Sequence, residues 1–400
     1  MSAGAWRVPG RIEVFGKHTD YAGGNVLIGA SEQAVTAVAR PGDQPGLVAR
    51  SSAFPDPVSL GGGAEADLPA GHWGRYVATA WNRLTANFGP LPDAELSFSS
   101  DLPLASGMSS SSALVVASAL ALADLAGLRE SELWAAELGT DRLRWASYLA
   151  SVENGTTFGS LTGSAGVGTR GGSEDHTGML CSRPGELGQF GFDPVARHRH
   201  VAVPADHVFA IAVSGVSAEK TGAAQAQYNH ASDAIAESLR RWNEATGRGD
   251  RSLAAAVRSD DAALDRLGGL LDADLRTRVQ HFVTESEELV PAAADALAAG
   301  DLDAFGAAAD TSQHLAETLL GNQVPQTVAL ASSARELGAV AASAFGAGFG
   351  GSVWALVPRS GAEAFARTWL ARHTSAFPDC AATASTLVTE ASGPAVPLEG

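Results

Sequence analysis

The chain has 400 residues, 45% of them hydrophobic, with 27 Lys and Arg against 44 Asp and Glu and a formal net charge of −17. That length suits two domains with ordinary hydrophobic cores. The acidic balance excludes nonspecific nucleic-acid binding and docking on anionic lipid, both of which need clustered positive charge.

Val8, Ile12 and Val14 alternate with other residues and predict a short buried strand near the N-terminus. That strand opens the segment Gly10-Arg11-Ile12-Glu13-Val14-Phe15-Gly16-Lys17-His18-Thr19-Asp20-Tyr21-Ala22-Gly23-Gly24. The polar cluster from Lys17 to Asp20 falls at the strand's end, where loops carry chemistry. His and Asp suit sugar hydroxyls, and Arg holds phosphate through several donors at once. Val77, Ala80, Trp81 and Leu84 recur at helical spacing and predict a helix over residues 73–84. Trp73 and Tyr76 at its start either pack into the core or offer ring faces to a base. Residues 95–99 alternate and read as a strand.

Gly107 and the run Ser109, Ser110, Ser111 and Ser112 open a long apolar helix that stops at Gly127. A helix N-terminus presents unsatisfied amides and a positive dipole, which suits phosphate. Serine hydroxyls add donors or ligate Mg²⁺, and the same serines also serve as ordinary caps. No Lys-Ser or Lys-Thr follows the glycine, so this is not a Walker A loop. The apolar run over 113–123 is too short to span a bilayer. A second helix over 141–153 ends on Glu153, a charge that the helix dipole disfavours there. Residues 160–172 are glycine-rich and read as loop. The G-x-G-x-x-G spacing at 166–171 has no preceding strand or following acid and is taken as coincidence. Gly171-Gly172-Ser173-Glu174-Asp175-His176 follows, with Glu174 read as a solvated loop charge.

Residues 208–213 form an apolar run that suits a buried strand. Residues 223–320 are nearly all helical, with Tyr228 near their start and breaks expected near 247–249, 268–269 and 300. Gly346-Ala347-Gly348-Phe349-Gly350-Gly351 then feeds a strand at 353–357, a helix near 362–372 and a last strand at 386–389. A boundary near residue 200 would divide the chain into domains 1–200 and 201–400. Cys181 and Cys380 show neither metal-ligand spacing nor a disulfide framework. The N-terminus lacks the basic and apolar pattern of a signal peptide. Both features lead to the expectation of a soluble, cytoplasmic protein.

Three of these segments, in this order, resemble the signatures of the GHMP kinase superfamily, and the first resembles that of its galactokinases. The resemblance is sharp at the motifs and faint between them. It implies an α+β, two-lobed GHMP kinase fold with the active site between the lobes. It also implies Mg²⁺-dependent transfer of the ATP γ-phosphoryl group to a hydroxyl of a sugar or cyclitol, by resemblance the anomeric C1 group. Asp175 matches the family's catalytic aspartate and Arg11 the arginine beside it. Ser111 and Glu153 match the Mg²⁺ ligands, and Gly107 with Ser109, Ser110, Ser111 and Ser112 the phosphate-binding loop. Trp73 and Tyr76 fall where galactokinases contact adenine. His18, Asp20 and Tyr228 fall on the sugar side.

Lys17 departs from the galactokinase pattern, which carries an acid there. An ammonium donates three hydrogen bonds and accepts none. Lys17 therefore favours a substrate with an anionic exocyclic group, a carboxylate or a phosphate. Otherwise it turns away to Glu13 or Asp20 and leaves a galactokinase for neutral galactose. A non-catalytic sugar- and ATP-sensing regulator of the same fold is the rival outside enzymes, and the presence of both the serine loop and Asp175 weighs against it. An isoprenoid or amino-acid alcohol kinase is disfavoured by the His-Thr-Asp-Tyr cluster. No nucleic-acid or membrane partner is expected, and the sequence leaves the oligomeric state open.

Overall fold

A computed structural model describes residues 4–61, 68–69, 71–103, 106–217 and 222–399. The chain opens with two long antiparallel strands, β1 (Gly4–Phe15) and β2 (Asn25–Pro41), where a short strand alone was expected. β1 and the first part of β2 are buried on both faces, so their sequence there lacks the clean alternation that marks a half-exposed strand. The hairpin β3 (Leu47–Ser51) and β4 (Phe54–Leu60) follows, then α1 (Gly74–Phe88) and β5 (Ala94–Ser100). Next come α2 (Ser110–Leu125), α3 (Glu132–Glu137), α4 (Arg142–Asn154) and α5 (Glu174–Cys181), and the hairpin β6 (Glu186–Phe192) and β7 (Val195–Ala202). β1, β2, β5, β3 and β4 lie side by side in that order, β3 and β5 pair in parallel, and β6 joins β2. Helix α2 is apolar on every side and buried along nearly its whole length, as a helix central to a core must be. No helix among the described residues is long and apolar enough to cross a membrane.

The second half begins with β8 (His207–Val213) and continues through helices α6 (Gly222–Thr246), α7 (Leu253–Val257), α8 (Ala263–Leu270) and α9 (Ala273–Val283). Breaks fall after Thr246 and at Gly300, as expected, but Gly268 and Gly269 lie inside α8 rather than ending it. α9 runs through a π-helical turn, Thr284–Leu289, into α10 (Val290–Ala299), where Pro291 can donate no backbone hydrogen bond. After α11 (Leu302–Leu315) and α12 (Pro325–Glu336) come β9 (Ala341–Phe345), β10 (Ser352–Pro358), α13 (Ala362–Ala376), β11 (Ser385–Thr389) and β12 (Val396–Pro397). β11, β8, β10 and β9 form a second, wholly antiparallel sheet, and β12 returns to the edge of β1.

Strand alternation explains how the halves join. Val208, Ala210 and Ala212 of β8 face Leu330, Ala334 and Trp369 of α12 and α13. Phe209 and Ile211, pointing the other way, enter the large core built on β1 and α2. Phe15 of β1 meets Phe305 and Trp354 edge-on or tilted, with ring centroids 5.6 and 6.4 Å apart. The hairpin β6–β7 ends at Ala202, near the expected boundary at 200, and this core crosses it.

Candidate active site

Two bulges bracket the segment Arg11–Glu13 of β1, with register shifts at Pro9/Arg11 and Glu13/Phe15. Bulges next to a site re-aim side chains. Ile12 and Val14 go into the core, while Arg11 and Glu13, two residues apart, reach one cleft. The cleft measures about 480 Å³, counting the part open to solvent, and its walls come from both halves of the chain. Arg11, His18, Asp20, Ser112, Glu153 and Asp175 arrive from the first half, and Tyr228, Gly346 and Ala347 from the second. The three motifs that lie far apart in sequence thus meet at one place.

Arg11 is its organiser. Its Nε donates to Asp175 Oδ1 at 2.7 Å and its Nη1 donates to the Gly107 carbonyl at 2.5 Å. Burial works against the guanidinium's charge, but Asp175, Glu13 and Glu174 outweigh it and hold its pKa above the ordinary value. Ser112 Oγ donates to Asp175 Oδ2 at 3.3 Å. Asp175 sits in the first turn of α5, where the helix dipole favours a carboxylate. Asp20 Oδ2 accepts the Glu174 amide at 3.2 Å. A Cβ on Gly172 would lie 2.3 Å from that same oxygen, so only glycine lets the α5 entry approach Asp20 so closely.

Among the described residues, three other than glycine take the left-handed conformation: His18, Ser109 and Phe349, with φ of 58°, 57° and 58°. One lies in each motif. Such strain persists only where surrounding contacts over-determine it, and it concentrates at functional sites. The His18 ring is fixed between Tyr21 Oη at 2.9 Å and the Ala347 carbonyl at 3.0 Å. Nε2 must donate to that carbonyl, so Nδ1 accepts from Tyr21, whose oxygen in turn accepts from Arg278 Nη2 at 2.9 Å. Burial first, then Asp20 and Tyr21, hold the Tyr228 phenol well above its usual pKa, and its ring lies 5.1 Å from that of His18.

In the serine loop, Ser112 reaches the cleft, whereas Ser110 and Ser111 are half-buried at the α2 N-terminus and Ser109 is buried without capping the helix through its side chain. Leu104 and Ala105 of this loop lie outside the described residues, as do Lys220 and Thr221 before Tyr228. Glu153 is buried in the last turn of α4, and its Oε2 lies 3.2 Å from His176 Nε2. A hard cation that keeps waters and substrate phosphates among its ligands needs few protein oxygens. The Glu153 carboxylate and a serine hydroxyl at the loop suit Mg²⁺ in that way. No group of three or more His, Cys, Asp and Glu among the described residues would hold a metal unaided.

Three expectations need correction. Lys17 does not line the cleft and pairs with neither Glu13 nor Asp20. Its Nζ bonds Ser312 Oγ at 2.7 Å and lies 3.9 Å from Glu285 Oε1, and both partners belong to the distant helical segment. Glu174 is not a solvated charge but is buried in the cleft wall. Trp73 stacks on Phe54, with centroids 5.8 Å apart, and neither it nor Tyr76 lines the cleft. Arg170 pairs with Asp233 on the exposed side of the glycine-rich loop.

The sequence reading missed Glu13 and His176 as cleft residues. The spacing of Glu13 from Arg11, two residues on one strand, was the available signal. Glu13 and Glu174 both line the cleft and are buried there. Burial first, then the neighbouring Glu13 and Asp20, hold the Glu174 carboxyl well above its usual 4.5, against the pull of Arg11. A raised folded-state pKa gives stability that is complete below the unfolded value and is lost as pH rises toward the folded one. Replacing Glu174 by Gln removes that loss. The urea midpoints of Glu174→Gln and wild type should therefore diverge in the variant's favour as the pH rises above the ordinary carboxylate range. Parallel curves would mean that Glu174 ionises freely.

Residues 2–41 match the galactokinase galactose-binding signature, 75–151 the GHMP kinases N-terminal domain and 293–374 the GHMP kinases C-terminal region. A galactokinase of Chloroflexus aurantiacus is 31% identical over 366 residues, covering 90% of this chain and 85% of that one. A galactokinase of Streptomyces coelicolor is 30% identical over 373 residues, covering 90% and 86%. The crystal structure of Lactococcus lactis galactokinase complexed with galactose aligns with a TM-score of 0.80 at 23% identity, over 99% of this chain and 95% of that one.

Proposed function

The chain belongs to the galactokinase family of GHMP kinases, and for this ATP-dependent sugar kinase we propose that the acceptor is neutral galactose, phosphorylated at its anomeric C1 hydroxyl. The observation that carries the chemistry is the Arg11–Asp175 contact at 2.7 Å, set between the serine loop and the α5 N-terminus. Asp175 takes the proton of the C1 hydroxyl as its oxygen bonds to the γ-phosphorus. The bond from that phosphorus to the β-phosphate bridging oxygen breaks, ADP leaves, and Asp175 returns the proton to solvent. Arg11, tied through Gly107 to the phosphate loop, holds Asp175 in place and faces the charge that develops on the phosphoryl group. The backbone amides that open α2, with Gly107, Ser109, Ser110 and Ser112, cradle the phosphates. Asp20, His18 and Tyr228 form the sugar wall.

Mg²⁺, held by Ser111 and Glu153 with the nucleotide's phosphates, would neutralise phosphate charge. Tyr76, half-buried in α1, remains the candidate for the adenine side. What supports a neutral sugar over an anionic one is the place of Lys17, whose ammonium is turned to Ser312 and Glu285.

ADP release with galactose, galacturonate and galactose 6-phosphate tests the acceptor directly: galactose should be turned over best. Ser111→Ala and Glu153→Gln should each raise the Mg²⁺ concentration for half-maximal rate about 10–100-fold, as loss of metal-site groups usually does. Nucleotide affinity without Mg²⁺ should hardly move. Superimposable Mg²⁺ titrations would remove both residues from the metal site.

A further inference from the structure

Arg278 of α9 is a buried cation, 5% exposed, whose hydrogen-bond partners among the described residues are a carbonyl, a hydroxyl and an imidazole, none of them an acid. Its Nη2 donates to the His18 carbonyl at 2.6 Å and to Tyr21 Oη at 2.9 Å. Its Nη1 donates to His281 Nδ1 at 3.1 Å. The guanidinium also lies over the Tyr21 ring, 5.8 Å from its centroid. A charge taken out of water with only neutral partners is costly, and an apolar side chain would fill the same space without that cost. Two of the three partners belong to the first motif, about 260 positions earlier in the chain, and one of them carries the ring that lines the cleft.

Resting on the galactokinase reading, we propose that Arg278 is a positioning residue for the sugar: it holds the His18 backbone in its left-handed conformation and orients the Tyr21 hydroxyl, so that the His18 ring stands fixed in the cleft wall before the sugar arrives. A guanidinium only donates, so Tyr21 Oη accepts from Arg278 and turns its own proton to His18 Nδ1, 2.9 Å away. Burial outweighs the opposing pull of Arg278 and pushes the Tyr21 phenol up to about 12, so that proton stays in place at neutral pH. His18 Nε2 donates in turn to the Ala347 carbonyl at 3.0 Å, which extends the order to the glycine motif. A φ of 58° at His18 persists only under outside contacts, and the 2.6 Å bond to its carbonyl is one of them. His281 secures Arg278 from the other side. Burial first, then Arg278, hold the His281 pKa well below its usual value, so its Nδ1 stays an acceptor. A wall ordered in advance loses less freedom when the sugar binds.

The test uses the full chain with Arg278→Met, Tyr21→Phe and the two combined. Each single variant should raise the galactose KM about 10–100-fold, the scale for misplacing a substrate-positioning group. The ATP KM, and kcat per folded molecule, should change much less. The double variant should do little more than Arg278→Met alone, because both changes act through the His18 ring. Hydrogen-exchange NMR reads the wall without any turnover. The His18 Nε2–H signal, identified by its loss in His18→Gln, should exchange with solvent about 10-fold or more faster in each single variant. An unmoved galactose KM, or an ATP KM that rises as far as the galactose KM, would overturn the proposal and leave Arg278 a structural residue. If Arg278→Met does not fold, Tyr21→Phe decides by the same measures, since it keeps the ring and removes one oxygen. If the wild-type enzyme does not turn galactose over, the kinase reading on that sugar fails alone. The exchange rates then decide the role of Arg278, and unmoved rates would overturn it.

Discussion

Asp175→Asn should lower kcat by about 10²–10⁴-fold, the contribution of a general base. The substitution is nearly isosteric, and an amide oxygen still accepts from Arg11 Nε, so the local packing survives. What disappears is the ability to take a proton and the negative charge that Arg11 meets at 2.7 Å. ATP affinity, measured by calorimetry, should stay within a few-fold of wild type, because the proposed phosphate site is the α2 N-terminus rather than Asp175. A variant that kept near wild-type kcat would show that the sugar hydroxyl is deprotonated elsewhere.

The second large effect concerns folding. Lys17 and Glu285 are 1% and 0% exposed, and Ser312 bridges them, accepting from Nζ at 2.7 Å and donating to Oε1 at 2.8 Å. The same Glu285 oxygen accepts the Gly16 amide at 2.8 Å, so the π-helical turn grips the first motif from across the molecule. Lys17→Met removes the cation and leaves a buried carboxylate, a change that costs about 3–5 kcal/mol. The urea midpoint should drop accordingly. Adding Glu285→Gln should recover part of the loss, since the orphaned charge goes with it. Turnover of galactose per folded molecule should change little. An unchanged midpoint with a large rise in KM would return Lys17 to the substrate.

Locally coded features were legible in the sequence. The strand at Ile12 and Val14, the helix opened by the serines and the glycine run before β10 all stand near the places their residues imply. The convergence of Arg11, Asp20, Ser112 and Asp175 followed from motifs whose order matched a known family. What stayed hidden depends on contacts between residues far apart in the chain. Nothing near Lys17 announces Ser312, which lies 295 positions later. Glu174 looks like any loop charge until Glu13, Asp20 and Arg11 fold around it. The start of β2 was missed because burial on both faces erases its period there. Trp73 was ambiguous between core and base stacking, and only its contact with Phe54 places it in the core.

The reaction proposed for the cleft of Arg11 and Asp175 is transfer of the γ-phosphoryl group to the anomeric oxygen of galactose. Phosphorus NMR of the product, formed from galactose and Mg-ATP, tests it most directly. A single new phosphate ester whose phosphorus couples to the anomeric proton is the result predicted, and the signal should be absent on the same time scale with Asp175→Asn. An ester coupled to any other sugar proton, or ATP left uncleaved beside galactose, would contradict it.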